Sequence, residues 1–168
     1  LAWMRAGVTM HDPATAYDRE YLFLLSEMDP RIHSTVEMLG KGALAGTDFL
    51  TDYFANYFFI NGRVSPDIMA PAGPSFALPN QPYNCMPQAH PGEKILMRVV
   101  GGGHDLHPYH FHGNHARIIA MDGRLMESVP GVSGPDTGRL SYTIQSVPGE
   151  TVDATATRYV RSSLPELA

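Results

Sequence analysis

Apolar residues along this chain fall into short runs that are separated by turn signals. Residues 94–100 (KILMRVV) form one apolar run, and residues 140–147 (LSYTIQSV) alternate between apolar and polar positions as a strand does. The tripeptide Pro-Gly-Glu occurs twice. At residues 91–93 it precedes the apolar run, and at residues 148–150 it precedes a further predicted strand at residues 151–159. Short strands that alternate with turns predict an all-β sandwich.

The first half of the chain is less regular. Residues 17–28 (YDREYLFLLSEM) fit a helix or a strand by periodicity, and their aromatic and leucine content favours a strand that stops at Asp29-Pro30. Residues 31–52 are ambiguous: their three glycines favour a loop, and a short helical turn within it stays open. Residues 53–60 (YFANYFFI) are predicted to form a strand that ends in an Asn61-Gly62 turn, and the proline-rich residues 64–85 to form a long loop.

Length and charge narrow the class of protein. The chain has 168 residues, which predicts one domain at residues 17–160, a lead-in or interdomain linker at 1–16 and a tail at 161–168. Its formal net charge of −5 argues against nucleic acid as a partner, because phosphate contacts need clustered Lys and Arg. We find no apolar run long enough to span a bilayer and recognise no signal peptide near Leu1.

Histidines are concentrated in one segment. Five of the eight histidines lie within twelve residues: His104, His107, His110, His112 and His115. Imidazole is the commonest protein ligand for metals such as copper and zinc. A solvated His-rich loop is the alternative, but several imidazoles packed together without a metal leave polar groups unpaired, so we favour a metal site.

The spacing of these histidines selects among them. His110 and His112 are two residues apart, so on a strand they share a face and lie about 7 Å apart. Phe111 then faces the core, and Pro108 sets His107 at the beginning of the strand. His115 has the wrong parity for the pair, and His104 follows three glycines and is expected to be exposed.

Residues 107–113 (HPYHFHG) resemble the His-Pro-x-His-x-His-Gly signature of the multicopper oxidases. Residues 57–63 (YFFINGR), 91–100 (PGEKILMRVV) and 146–156 (SVPGETVDATA) are similar to segments that flank this signature in bacterial members. The resemblance covers most of residues 17–157. It implies a Greek-key cupredoxin-like β-sandwich, and a chain that is a fragment or one domain of a longer multicopper oxidase.

The resemblance also implies metal ligands and a reaction. Carried over, the first histidine of the motif, His107, ligates a type 1 copper, and His110 and His112 ligate a type 2/type 3 copper cluster. Members of the family take electrons one at a time from a reducing substrate and reduce dioxygen to water. The family implies a periplasmic or extracellular location, and the reducing substrate is not readable from the sequence.

The chain departs from the family at its single cysteine. The type 1 thiolate belongs to a His-Cys-His segment that is absent here, and Cys85 precedes the histidines in the proline-rich loop. We therefore expect no complete type 1 site, and we expect the missing cluster ligands to come from other cupredoxin domains or other subunits. Two alternatives stay open: a copper site shared between subunits of a nitrite-reductase-like trimer, and a non-catalytic structural or assembly module.

Overall fold

A computed structural model describes residues 15–48, 51–71 and 84–157 of the chain. Strands predominate among them, with one α-helix and two short 3₁₀ turns at Lys41–Leu44 and Asp67–Met69. The elements are, in chain order, β1 (Arg19–Met28), α1 (Pro30–Leu39), β2 (Tyr57–Ile60), β3 (Lys94–Gly101), β4 (His107–His110), β5 (Ala116–Met121), β6 (Arg124–Leu125), β7 (Arg139–Ser141), β8 (Thr143–Ser146) and β9 (Thr151–Thr157).

The strands form a large sheet and a two-stranded ribbon. The large sheet has the order β2-β1-β3-β9-β5-β6, and β7 also pairs with β5. Its β1 and β3 run parallel, whereas its other pairs are antiparallel. The ribbon consists of β4 and β8, which are antiparallel and have His107 opposite Ser146 and His110 opposite Thr143.

The hydrophobic core lies between the ribbon and one face of the large sheet. Side chains alternate between the two faces of a strand, so each strand contributes every second residue to this core. Tyr109 and Phe111 pack against it from the ribbon side. Its buried members are Phe23, Leu25, Met97, Val99, Ala116, Ile118, Ile144, Val152 and Ala154. The all-β sandwich expected from the sequence is confirmed.

The strand and turn predictions near the motif are confirmed, with two shifts. The predicted strand at residues 17–28 is β1, and the predicted Asn61-Gly62 turn has the positive φ at both residues that tight hairpins require. The Asp122-Gly123 turn between β5 and β6 has the same backbone geometry. The predicted strand at 53–60 is shorter and starts at Tyr57. The predicted strand at 140–147 is split at Tyr142 into β7, which joins the large sheet, and β8, which joins the ribbon.

The prediction of a loop at residues 31–52 was wrong for residues 31–39, because these nine positions and Pro30 form α1. Asp29 and Pro30 start this helix rather than only ending β1. The Asp29 side chain accepts a hydrogen bond from the Arg31 amide at 2.9 Å, and Pro30 occupies the first turn, where its missing N–H is harmless.

Several predictions fall outside the described residues. These are most of the lead-in at 1–16, the tail at 161–168, residues 158–159 of the last predicted strand and residues 72–83 of the proline-rich loop. The domain boundaries therefore stay predictions. In the described part of the chain, no helix has both the length and the apolar character needed to cross a membrane.

Candidate metal centre

The histidines of β4 and its continuation point to opposite sides of the ribbon. His107 shares the inward face with Tyr109, whose ring packs on Phe23 with centroids 4.8 Å apart. His110 and His112 are exposed on the other face. The alternation therefore divides the motif into one inward histidine and an outward pair.

The outward pair is close enough to act together. The rings of His110 and His112 have their centroids 5.0 Å apart and are nearly perpendicular, at 77°. This proximity holds although β4 ends at His110, so that His112 lies just beyond the regular strand. The predicted juxtaposition of these two side chains is thus present in the structure.

Thr143 orients one ring of this pair. The His110 Nδ1 atom lies 2.8 Å from the Thr143 hydroxyl, which stands opposite it in the ribbon. A hydroxyl donates or accepts, so it accommodates the tautomer in which Nδ1 carries the proton. In that tautomer the Nε2 lone pair of His110 is directed away from Thr143 and is free to bind a metal.

His107 is held by a buried carboxylate. Its Nε2 atom lies 2.5 Å from Oε2 of Glu27, and the Glu27 side chain is 0% exposed whereas that of His107 is 17% exposed. Glu27 continues the inward face of β1 after Phe23 and Leu25. The ring of Phe58 meets the His107 ring edge-on, with centroids 6.1 Å apart.

Glu27 also fixes the loop before β4. Its Oε1 atom accepts hydrogen bonds from the backbone amides of His104 and, at 3.1 Å, of Asp105. A Cβ atom on Gly103 would overlap the Glu27 carboxylate, so only glycine fits there. Burial raises the pKa of Glu27, but the hydrogen bonds from His107 and the two amides outweigh it, and the net pKa is lowered.

An ionised Glu27 determines which nitrogen of His107 is protonated. A carboxylate only accepts hydrogen bonds, so Nε2 of His107 carries a proton, and Nδ1 is the nitrogen that holds the lone pair in the neutral ring. Sequence reasoning placed Glu27 in the strand at residues 17–28 but did not identify this contact. The position of Glu27 along the strand could have revealed the contact. It lies two residues beyond Leu25, so its carboxylate falls on the buried face of β1 and needs a partner there.

The two flanking histidines stand apart from the pair. The ring of His104, which is exposed as predicted, packs against Tyr53 with centroids 4.8 Å apart. His115 is exposed, and its ring packs on that of Tyr142 with centroids 3.6 Å apart. Both rings are thus occupied by aromatic neighbours.

Cys85 lies close to the motif but belongs to no ligand cluster. It shares with His107, His110 and Phe58 the wall of a cavity of about 510 Å³. The thiol is half-buried, and this burial raises its pKa, which disfavours the thiolate that copper binds. Across residues 15–48, 51–71 and 84–157, no three His, Cys, Asp or Glu side chains converge as metal ligands do.

Comparisons with solved structures identify the fold. The blue copper oxidase from Nitrosomonas europaea superposes with a TM-score of 0.52 at 20% identity, over 83% of this chain and 33% of that protein. The multicopper oxidase mgLAC gives 0.53 at 18% identity, over 83% of this chain and 33% of that one. The copper-containing nitrite reductase NirK from Thermus scotoductus SA-01 gives 0.52 at 12% identity, over 87% of this chain and 25% of that one.

These likenesses define a cupredoxin-like domain of the kind found in copper oxidoreductases. More particularly, the chain has the fold of a domain that occurs both in these multicopper oxidases and in the nitrite reductase. It spans about a third of the length of the two oxidases that it matches. No protein-family model matches the sequence, and no curated protein does.

Proposed function

We propose that this chain is a copper-binding domain of a multicopper oxidase, and that His110 and His112 are ligands to a copper cluster completed by another domain or subunit. The observation that carries the proposal is the exposed pair of imidazoles, 5.0 Å apart on the outer face of the ribbon. A pair that faces away from its own core is available to a neighbour.

The residues present fit copper. Imidazole nitrogen is a preferred copper ligand, and His110 already has its Nδ1 atom engaged by Thr143, as ligating histidines usually have one nitrogen engaged by an oxygen partner. Two imidazoles alone do not complete a copper site, so the remaining ligands belong to a partner. Copper, when bound, accepts single electrons and transfers them to dioxygen.

We assign His107 to a second role. Its inward orientation separates it from the outward pair, which agrees with the division of the motif between a type 1 position and the cluster. Glu27 leaves Nδ1 as the only nitrogen of His107 that can bind a metal. Since the sequence holds no His-Cys-His segment and Cys85 precedes the motif, we expect no type 1 thiolate from this chain, and His107 either serves a modified site or has lost its metal.

The proposed activity is that of the assembled protein. Electrons from a reducing substrate reach dioxygen through copper, and this chain contributes ligands and orientation rather than a complete centre. A location in the periplasm or outside the cell goes with this proposal, as does the expectation that the domain alone oxidises little.

A nitrite-reductase-like site is the second candidate. The likeness to the Thermus enzyme favours it, and an exposed histidine pair can meet ligands of another subunit as readily as those of another domain. A single copper bound by three imidazoles at a subunit interface would distinguish this candidate from a cluster.

Binding of Cu(II) to the chain tests the assignment of the pair. We expect His110→Ala and His112→Ala each to weaken Cu(II) affinity at least about tenfold, because loss of a group that merely orients a ligand already costs that much. His33→Ala, on the exposed surface of α1, is the matched control and should leave the affinity unchanged. Calorimetric titration gives the affinities, and equal binding by all three variants would refute the assignment.

A further inference from the structure

A second cavity, on the outer face of the large sheet, is lined by cationic and hydrogen-bonding side chains. Its volume is about 720 Å³, and it shares no lining residue with the cavity beside Cys85. We infer that this cleft binds a small multivalent oxyanion, with carboxylate or phosphate groups, between Lys94 and Arg117.

The sheet register brings the two cations to one side. Lys94 of β3 pairs with Thr157 of β9, and Arg117 of β5 pairs with Thr155 of the same strand. Thr155 and Thr157 are two residues apart and therefore share a face, opposite to the core residue Ala154. Lys94 and Arg117 thus flank β9 on its outer face, about 10 Å apart across the strands and about 7 Å apart along them.

Neither cation is neutralised within the described part of the chain. Arg19, Arg31 and Arg98 all have a carboxylate within ion-pair distance, but no described carboxylate forms such a pair with Lys94 or Arg117. Two long cationic side chains that border one cleft favour a ligand with more than one negative group.

The carboxylate that also lines the cleft is committed to its own loop. Asp136 accepts hydrogen bonds from the Ser128 amide at 2.7 Å, from the Ser128 hydroxyl and from the Ser133 hydroxyl at 3.1 Å. These bonds hold its oxygens towards the loop. Arg117 is steadied by a bond from Nη2 to the Pro135 carbonyl at 3.0 Å, which leaves its remaining N–H groups for a ligand.

Neutral donors complete the lining. The hydroxyl groups of Thr155 and Thr157 lie between the two cations, and Asn114 is fixed at the rim by its bond to the Thr157 carbonyl at 2.7 Å. Hydroxyl donors flanked by Lys and Arg are the usual partners of carboxylate and phosphate oxygens. Because none of these residues is a proposed copper ligand, the inference is independent of the proposed function.

The test is an NMR titration of the metal-free full chain with citrate and, separately, with pyrophosphate. Sodium chloride matched for ionic strength measures the nonspecific effect. We expect saturable shifts centred on residues 113–117 and 155–157. Lys94→Gln and Arg117→Gln should each raise Kd about fivefold or more, whereas Arg117→Lys should largely restore binding.

Arg124→Gln removes an exposed cation on β6 outside the cleft and should leave Kd unchanged. Saturation by citrate alone or by pyrophosphate alone identifies a carboxylate or a phosphate ligand, and either result supports the cleft. Shifts that chloride reproduces, or an equal loss of affinity in Arg124→Gln, would overturn the inference.

Discussion

Glu27 carries a charge in a place where water cannot reach it. A buried carboxylate costs several kcal/mol unless hydrogen bonds and a partner compensate for the lost hydration. Here three donors surround it: the His107 ring and the amides of His104 and Asp105. One residue thereby fixes both the tautomer of His107 and the path of the loop that leads into β4.

Replacing Glu27 by Gln should destabilise the fold. Gln keeps one acceptor oxygen for the 104–105 amides, but its neutral NH₂ group replaces the carboxylate oxygen that faces His107, so the charge-assisted bond to the ring is lost and the tautomer of His107 must change. We expect a loss of about 2–4 kcal/mol in the free energy of unfolding, measured by urea denaturation. Glu37→Gln, on the exposed surface of α1, should change it by less than about 0.5 kcal/mol. Equal stability of the two variants would contradict the role given to Glu27.

The alternation of side chains along a strand predicted that His110 and His112 lie together, but it could not predict the contact between Glu27 and His107. His110 and His112 are neighbours along one segment, so their shared face is predictable from the period of a strand. Glu27 and His107 are separated by 80 residues, and their contact depends on how β1 is positioned against the ribbon. Sequence reasoning identified His107 as a candidate ligand but had no means of joining it to Glu27.

At the scale of elements, the sequence-based predictions were wrong at the boundaries of strands and helices. Asp-Pro is compatible with the end of a strand and with the start of a helix, and the Asp29 side chain decides for the helix by capping it. The split between β7 and β8 has a tertiary cause, because the chain passes from the large sheet to the ribbon at Tyr142. The Ser141 hydroxyl bonds to both the amide and the carbonyl of Thr143 across this crossing.

The start of β1 is joined to the turn before β3 by an ion pair whose contribution depends on pH. Arg19 Nε lies 2.5 Å from Oε2 of Glu93, and this bond, with one from the His90 amide, lowers the pKa of Glu93 from its ordinary value of 4.5 to about 2. A carboxylate whose pKa is lowered by folding stabilises the fold above its unfolded pKa. That stabilisation is lost as the pH falls through the folded value.

We therefore expect Glu93→Gln to lower the urea midpoint at pH 6 and to lose this difference from the wild type as the pH approaches 2. The bond to Arg19 is the largest cause of the shift, so Arg19→Gln should weaken the same pH dependence. Urea denaturation at a series of pH values measures both variants. A difference from the wild type that stays constant between pH 6 and pH 2 would show that Glu93 does not titrate as described.

At the scale of the whole molecule, one sandwich presents two chemically different outer surfaces. The outer face of the ribbon carries the His110–His112 pair, and the outer face of the large sheet carries the cationic cleft. Periodicity and turn signals predicted the all-β fold, and the motif predicted which histidines form a pair. The ligands that complete a copper site are not deducible from this sequence, since no third ligand joins the pair among the described residues.

The most direct test of the central claim is the copper content of the protein purified together with its native partner domains or subunits, combined with electron paramagnetic resonance. We predict several coppers per assembly and a type 2 signal that disappears in His110→Ala and in His112→Ala but persists in His33→Ala. An assembly that stays free of copper after reconstitution under mild reducing conditions would contradict the claim and would leave this chain as a structural module with a cupredoxin-like fold.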